Sequence, residues 1–159
     1  MNKVQKVMRD IPAVRWTALL LLALAMFCSY IFMDILSPIK DLMQSTRGWD
    51  STAFGTMQGS ETFLNVFVFF LIFAGIILDG MGVRFTAILS GSVMVIGGAI
   101  ELYVISPYFV EGNALYDFLN SFWTSFPANA KLASAGFAIF GCGVEMAGIT
   151  VSKAIVKWF

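Results

Sequence analysis

Apolar residues fall in four long runs along the chain, separated by shorter polar breaks. The first run covers 16–33 and continues helically to about residue 36, where Pro38 disturbs its end. The second begins at the capping pair Asp50 and Ser51 and reaches Leu78, the third covers 85–105 and stops at Ser106 and Pro107, and the fourth covers 130–156. A helix needs about 20 mostly apolar residues to cross the hydrocarbon core of a bilayer. The pattern therefore predicts an all-α integral membrane protein with spans over 16–37, 51–78, 85–105 and 130–156. Residues 1–15 form a basic cytoplasmic lead, and 16–159 form the transmembrane region. The first run is longer than the apolar core of a signal peptide and lacks a small-residue cleavage site, so it reads as a retained span. The second exceeds what a bilayer requires, which implies tilt or projection beyond the membrane.

Between the last two spans lies an extracytoplasmic loop, 106–129, too long for a tight turn. Within it, 115–123 alternates apolar and polar residues in a way that suits either a short helix on the membrane surface or a plain loop.

Composition agrees with the pattern. Of 159 residues, 58% are hydrophobic and 13% charged, whereas soluble domains are about a quarter charged. The absence of His removes the commonest metal ligand and the usual general base near neutral pH. No nucleophile–base pair or metal-ligand spacing is visible either, so neither an enzyme nor a cofactor is expected. Cys28 and Cys142 both fall inside apolar runs, where a cysteine reads as a small packing residue. A net charge of zero gives no electrostatic footprint for nucleic acid.

The distribution of charge sets an orientation. With the amino terminus inside, Lys3, Lys6, Arg9, Arg15, Arg84, Lys153 and Lys157 are cytoplasmic, and Lys40, Arg47 and Lys131 lie outside, as the positive-inside rule requires. Trp16 and Trp158 then sit at the inner interface, and Trp49, Tyr103 and Tyr108 at the outer one, where amphipathic rings are favoured. The expected setting is a multi-pass protein of a bacterial inner membrane.

Four carboxylates fall within the proposed spans: Asp34, Glu61, Glu101 and Glu145. Each costs several kcal/mol if it faces lipid, so each is expected to face protein or a wet cavity. Gln58, Glu61, Thr62 and Asn65 recur at helical spacing and form one polar stripe, which reads as a pathway lining or as an interhelical hydrogen-bond network. Tyr30 and Asp34, one turn apart, make a similar patch on the first span. Glu145 shares a face with Gly141, Gly148 and Ser152, small residues that let a neighbour approach closely. At about 1.5 Å per residue, Glu145 stands roughly 18 Å above the inner interface, while Asp34, Glu61 and Glu101 stand roughly 25 Å or more above it. Glu101 can instead snorkel outward with Tyr103. Lys40 is placed to neutralise an outer acid, and no span holds a buried Arg for a substrate carboxylate.

A tight, charged hinge joins the second and third spans. Gly75 thins the last turn of the incoming helix for close backbone approach, and Gly80 and Gly82 can take positive φ in the turn. Gly75, Asp79, Gly82 and Arg84, spaced Gly-x-x-x-Asp-x-x-Gly-x-Arg, resemble the cytoplasmic loop signature of the major facilitator superfamily of secondary transporters. Gly80 and Val83 stand where that pattern usually carries basic residues. The segment from Gly136 to Glu145, the ending at Trp158 and Phe159, and Ser29, Tyr30 and Asp34 are similar to the branch containing lysosomal dipeptide uniporters and their bacterial relatives.

The resemblance implies that the four helices are part of an amino-terminal six-helix bundle and that further carboxy-terminal helices of the same transporter are the partner. It implies that Glu145 meets the amino group of a substrate and that Asp79 and Arg84, in the loop with Gly75 and Gly82, gate the inner face. Phe137 stands where many members carry an Arg associated with proton coupling, so simple proton symport is not what this residue predicts. A local Asp79–Arg84 ion pair that only sets the turn is the plainer alternative for the hinge.

Three functions are thus expected in competition: a carrier of a small polar organic solute such as an amino acid or dipeptide, an organic-anion or sugar carrier of the same superfamily, and a non-transporting four-helix scaffold or accessory subunit. The lipid bilayer is a partner in all of them.

Overall fold

The computed structural model describes residues 11–159, all in helices, turns and loops; Lys3, Lys6 and Arg9 of the basic lead lie outside them. Helix α1 (Pro12–Asp34) opens on Pro12, whose missing N–H costs nothing in a first turn. A single 3-10 turn, Ser37–Ile39, carries Pro38 and leads into the short α2 (Lys40–Arg47), which ends on Gly48 at φ 67. Helix α3 (Ser51–Phe67) starts where expected, with the Asp50 side chain accepting from the Ala53 N–H. After it come α4 (Phe70–Ile105), the short α5 (Ala114–Asn120) and α6 (Ala128–Trp158).

Three stretches, Pro12–Arg47, Phe70–Ile105 and Ala128–Trp158, are long and apolar enough to cross a membrane. Large apolar side chains such as Leu20, Phe27, Val95, Leu102 and Val156 point outward. In water that surface would drive aggregation, so it marks a membrane-embedded protein.

The second expected span is not one helix. Helix α3 stops at Phe67, Phe69 takes a left-handed conformation at φ 55, and a new helix begins at Phe70. The interruption falls in the run Val66, Phe67, Val68, Phe69, Phe70, where successive β-branched and aromatic side chains lose rotamer freedom against the preceding turn. At 17 residues, α3 alone falls short of the roughly 20 that a bilayer needs.

Helix α4 consists of two arms, 70–81 and 83–105, meeting at Gly82 with φ 81 and ψ 170. Their partners on α6 show that the chain turns back there. Leu78 and Asp79 meet Lys153, Ser90 and Met94 meet Gly143, and Ile100 and Glu101 meet Gly136. The second arm is therefore antiparallel to α6. Glu61 on α3 faces Gly141, so α3 and the first arm together follow α6 in parallel. The third span resumes at Val83 rather than Phe85, because the helix needs only one non-helical residue to reverse.

Helix α6 is the axis of the bundle, with Phe137, Val144, Met146 and Thr150 almost fully buried. Its small residues allow the contact. A Cβ added at Gly141 would lie 2.2 Å from the carbonyl oxygen of Glu61, and one at Gly97 would lie 2.6 Å from the backbone nitrogen of Phe140. In lipid, helices gain nothing by hiding apolar surface from one another, so close backbone packing of this kind supplies much of the attraction. A cluster of Met33, Trp49, Phe54, Met57, Phe137 and Phe140 fills one end, and Leu78, Val83 and Ala154 fill the other.

The loop between α4 and α6 holds the short α5, capped by Asn113, whose side chain accepts from the Leu115 N–H and donates to the Tyr103 hydroxyl and the Tyr108 carbonyl. The surface helix expected over 115–123 is thus shorter, since Ser121 already closes it. Lys131 donates to the carbonyls of Leu119 and Phe122.

Candidate functional site

Of the four carboxylates expected within spans, Glu61 on α3 lies within electrostatic range of Glu145 on α6 and of Asp34 at the end of α1. The count along straight spans places Glu145 about one helical turn below Glu61, and the packing keeps that offset across the break at Val68 and Phe69, because the Glu61 carbonyl sits beside Gly141, one turn from Glu145. Glu61 and Glu145 are half-buried and Asp34 is exposed. None of the three side chains has a hydrogen-bond or cationic partner among the described residues.

The rest of the polar stripe divides. The Asn65 amide, only 5% exposed, donates to the Glu61 carbonyl at 3.2 Å, and its Oδ1 is buried without a partner. Gln58 donates to the Ser37 hydroxyl at 2.7 Å and ties α3 to the turn after α1, so it braces the site rather than lining it. Thr62 bonds within its own helix. Tyr30 lies exposed on α1.

Glu101 is not with the others and does not snorkel outward. Its Oε1 is buried without a partner in the seam with α6, at the position that a Cβ on Gly136 would approach to 2.8 Å, and the Tyr103 hydroxyl is engaged by Asn113 instead.

At the opposite end, Gly82 holds the hinge at positive φ, as expected, but Gly80 is helical and nothing approaches Gly75 closely. Asp79 pairs with Lys153 of α6 at 2.5 Å rather than with Arg84. The physical reason is the reversal at Gly82. It sets Leu78 and Asp79 against the turn of α6 that carries Lys153, whose ammonium also reaches the Leu78 carbonyl, while Arg84 lies exposed beyond the hinge. The sequence could have offered Lys153 only as one of several inner-end cations.

Among the described residues, no three His, Cys, Asp or Glu side chains lie close enough to hold a metal ion. A shallow cavity of about 320 Å³ lies away from Glu61 and Glu145, at the end of the bundle that carries α5, lined by Arg47, Phe109, Val110, Glu111, Tyr116 and Asn129. Lys40, expected to neutralise an outer acid, has no ion pair among the described residues.

The fold and site together define a membrane-embedded helical bundle with Glu61 and Glu145 a turn apart across the α3/α6 seam, without partners among the described residues. Comparison with known protein families, with curated proteins and with solved structures finds no match.

Proposed function

We propose that this chain is the amino-terminal portion of a secondary transporter of major facilitator type, carrying a small solute with a positively charged group, such as an amino acid or dipeptide, by alternating access. In this reading α3 and the first arm of α4 cross the membrane together as one interrupted span, which makes four spans in all. Further helices of the same transporter cover the side on which Asp34 and Tyr30 are exposed.

The observation that carries the reading is that Glu61 lies within electrostatic range of both Glu145 and Asp34, on three helices, with no cationic partner for any of them among the described residues. Carboxylates in hydrocarbon are expensive, and an arrangement that gathers them and leaves them unpaired is suited to receiving a cation from outside. The inner hinge fits a gate. Asp79 and Lys153 hold the first arm of α4 to α6 through an ion pair whose carboxylate is 80% exposed, a contact that movement of the helices can break at little cost.

The test is ligand stabilisation of the purified protein against amino acids, dipeptides, sugars and dicarboxylates, followed by uptake in vesicles. Amino acids or dipeptides should raise the melting temperature and Glu145→Gln should abolish the rise. A response to sugars or dicarboxylates that survives Glu145→Gln would replace this reading with the organic-anion or sugar carrier. One observation favours the scaffold: α6 is already packed by α1, α3 and both arms of α4 into a core of its own. That reading requires no response to any solute from a stably folded chain.

A further inference from the structure

The cavity at the α5 end of the bundle is lined by opposite charges that do not meet. Arg47 and Glu111 both border its space of about 320 Å³, at the lower end of the roughly 300–1,000 Å³ of ligand pockets, yet no ion pair joins them. Each is held in place by the fold. Arg47 closes α2, and its Nη2 donates to the carbonyl of Ile105, the last residue of α4, at 2.9 Å. Glu111 stands in the turn closed by the Asn113 N–H on the Val110 carbonyl, next to Gly112 at φ 92. Phe109 is the buried wall, only 1% exposed, with its ring 5.5 Å from that of Tyr103 and 5.3 Å from that of Tyr116. Among the described residues Arg47 makes no other hydrogen bond, and the Glu111 carboxylate and the Tyr116 hydroxyl make none. Asn129 accepts from the Ala130 N–H through Oδ1, which leaves its amino group to donate.

The bond from Arg47 also sets the depth of the cavity. The second arm of α4, 83–105, is long enough to cross the hydrocarbon core, so the Ile105 carbonyl at its end lies at the level of the lipid head groups. Leu102 and Ile105 on that arm and Val110 in the cavity wall are exposed, apolar surface suited to the upper part of acyl chains. We propose that the cavity binds a phospholipid head group that carries a phosphate and a primary ammonium, that of phosphatidylethanolamine. Basic pockets at this depth take lipid phosphates. The Arg47 guanidinium matches a phosphate in geometry and charge, with Asn129 as a further donor, and the Glu111 carboxylate accepts from the ammonium. A head group with net negative charge would meet the charge of Glu111 with only one arginine to offset both. A choline head group has no N–H to donate, and Phe109 is too covered to hold it over a ring face. The site does not depend on whether the chain carries a solute.

The full chain, purified in detergent and freed of lipid, is melted with short-chain phosphatidylethanolamine, phosphatidylcholine or phosphatidylglycerol, and separately with the dipeptide alanylglycine. Phosphatidylethanolamine should give a saturable rise in melting temperature, with an apparent affinity at least about tenfold above that for either other lipid. Glu111→Gln should weaken phosphatidylethanolamine by at least about tenfold and strengthen phosphatidylglycerol, a reversal of preference that loss of a merely structural contact would not produce. Arg47→Gln should weaken both. Unchanged melting of each variant without lipid verifies its fold, and native mass spectrometry of retained lipid gives a second readout for a variant that melts differently. Equal responses to all three lipids, or a preference for phosphatidylethanolamine that survives Glu111→Gln, would overturn the site. A response to alanylglycine that Glu111→Gln removes would overturn it too, by assigning the cavity to a soluble zwitterion.

Discussion

Replacing Gly141 by Ala tests the architecture at its tightest point. The added Cβ would stand 2.2 Å from the Glu61 carbonyl oxygen and 2.8 Å from its Cγ, when ordinary contacts begin about 1 Å further out. A backbone atom cannot swing aside as a side-chain tip does, so α3 must move away from α6 or the helix must bend. Overpacking of this kind costs roughly 1–3 kcal/mol. Against it stands the gain from alanine over glycine in a helix interior, about 0.5–1 kcal/mol. Gly148 is the matched control, because the nearest atom to its added Cβ is the end of the Met26 side chain at 3.6 Å. Gly148→Ala should therefore keep the helix gain without the clash. In reversible unfolding from mixed micelles, Gly141→Ala should be destabilised relative to Gly148→Ala by about 1–3 kcal/mol. Equal stabilities would show that α3 does not lie against Gly141, and the placement of Glu61 one turn from Glu145 would go with it.

The remaining predictions concern the hinge at Gly82. Gly82 at φ 81 and ψ 170 occupies a region open almost only to glycine, so Gly82→Ala should cost about 1–3 kcal/mol in the same unfolding assay, whereas the helical Gly80 should accept Ala without loss; equal tolerance at both would disprove the hinge. A double-mutant cycle with Asp79→Asn and Lys153→Met should return a coupling of no more than about 1 kcal/mol, weakening as salt is raised, because the pair is exposed. A coupling above about 2 kcal/mol would mean that further protein covers it.

What was legible in the sequence followed from local physics. The length of the apolar runs, the shortage of charge, the Asp50 cap and the glycines at the reversal each act within a few residues, so the helical class, the start of α3 and a positive φ at Gly80 or Gly82 could be read directly from the chain, and the structure selects Gly82. The break at Val68 and Phe69 had a local cause as well, but hydrophobicity masks it, since the residues that strain the helix are also those that lipid favours. Only the tertiary structure could decide depth and partnership. Whether Glu61 comes within a turn of Glu145, whether Asp79 meets Lys153 or Arg84, and whether Glu101 turns outward or into a seam all depend on how one helix slides and rotates against another. That register is set here by the steric fit of backbone into the gaps at Gly97, Gly136, Gly141 and Gly143, a contact between residues far apart in the chain.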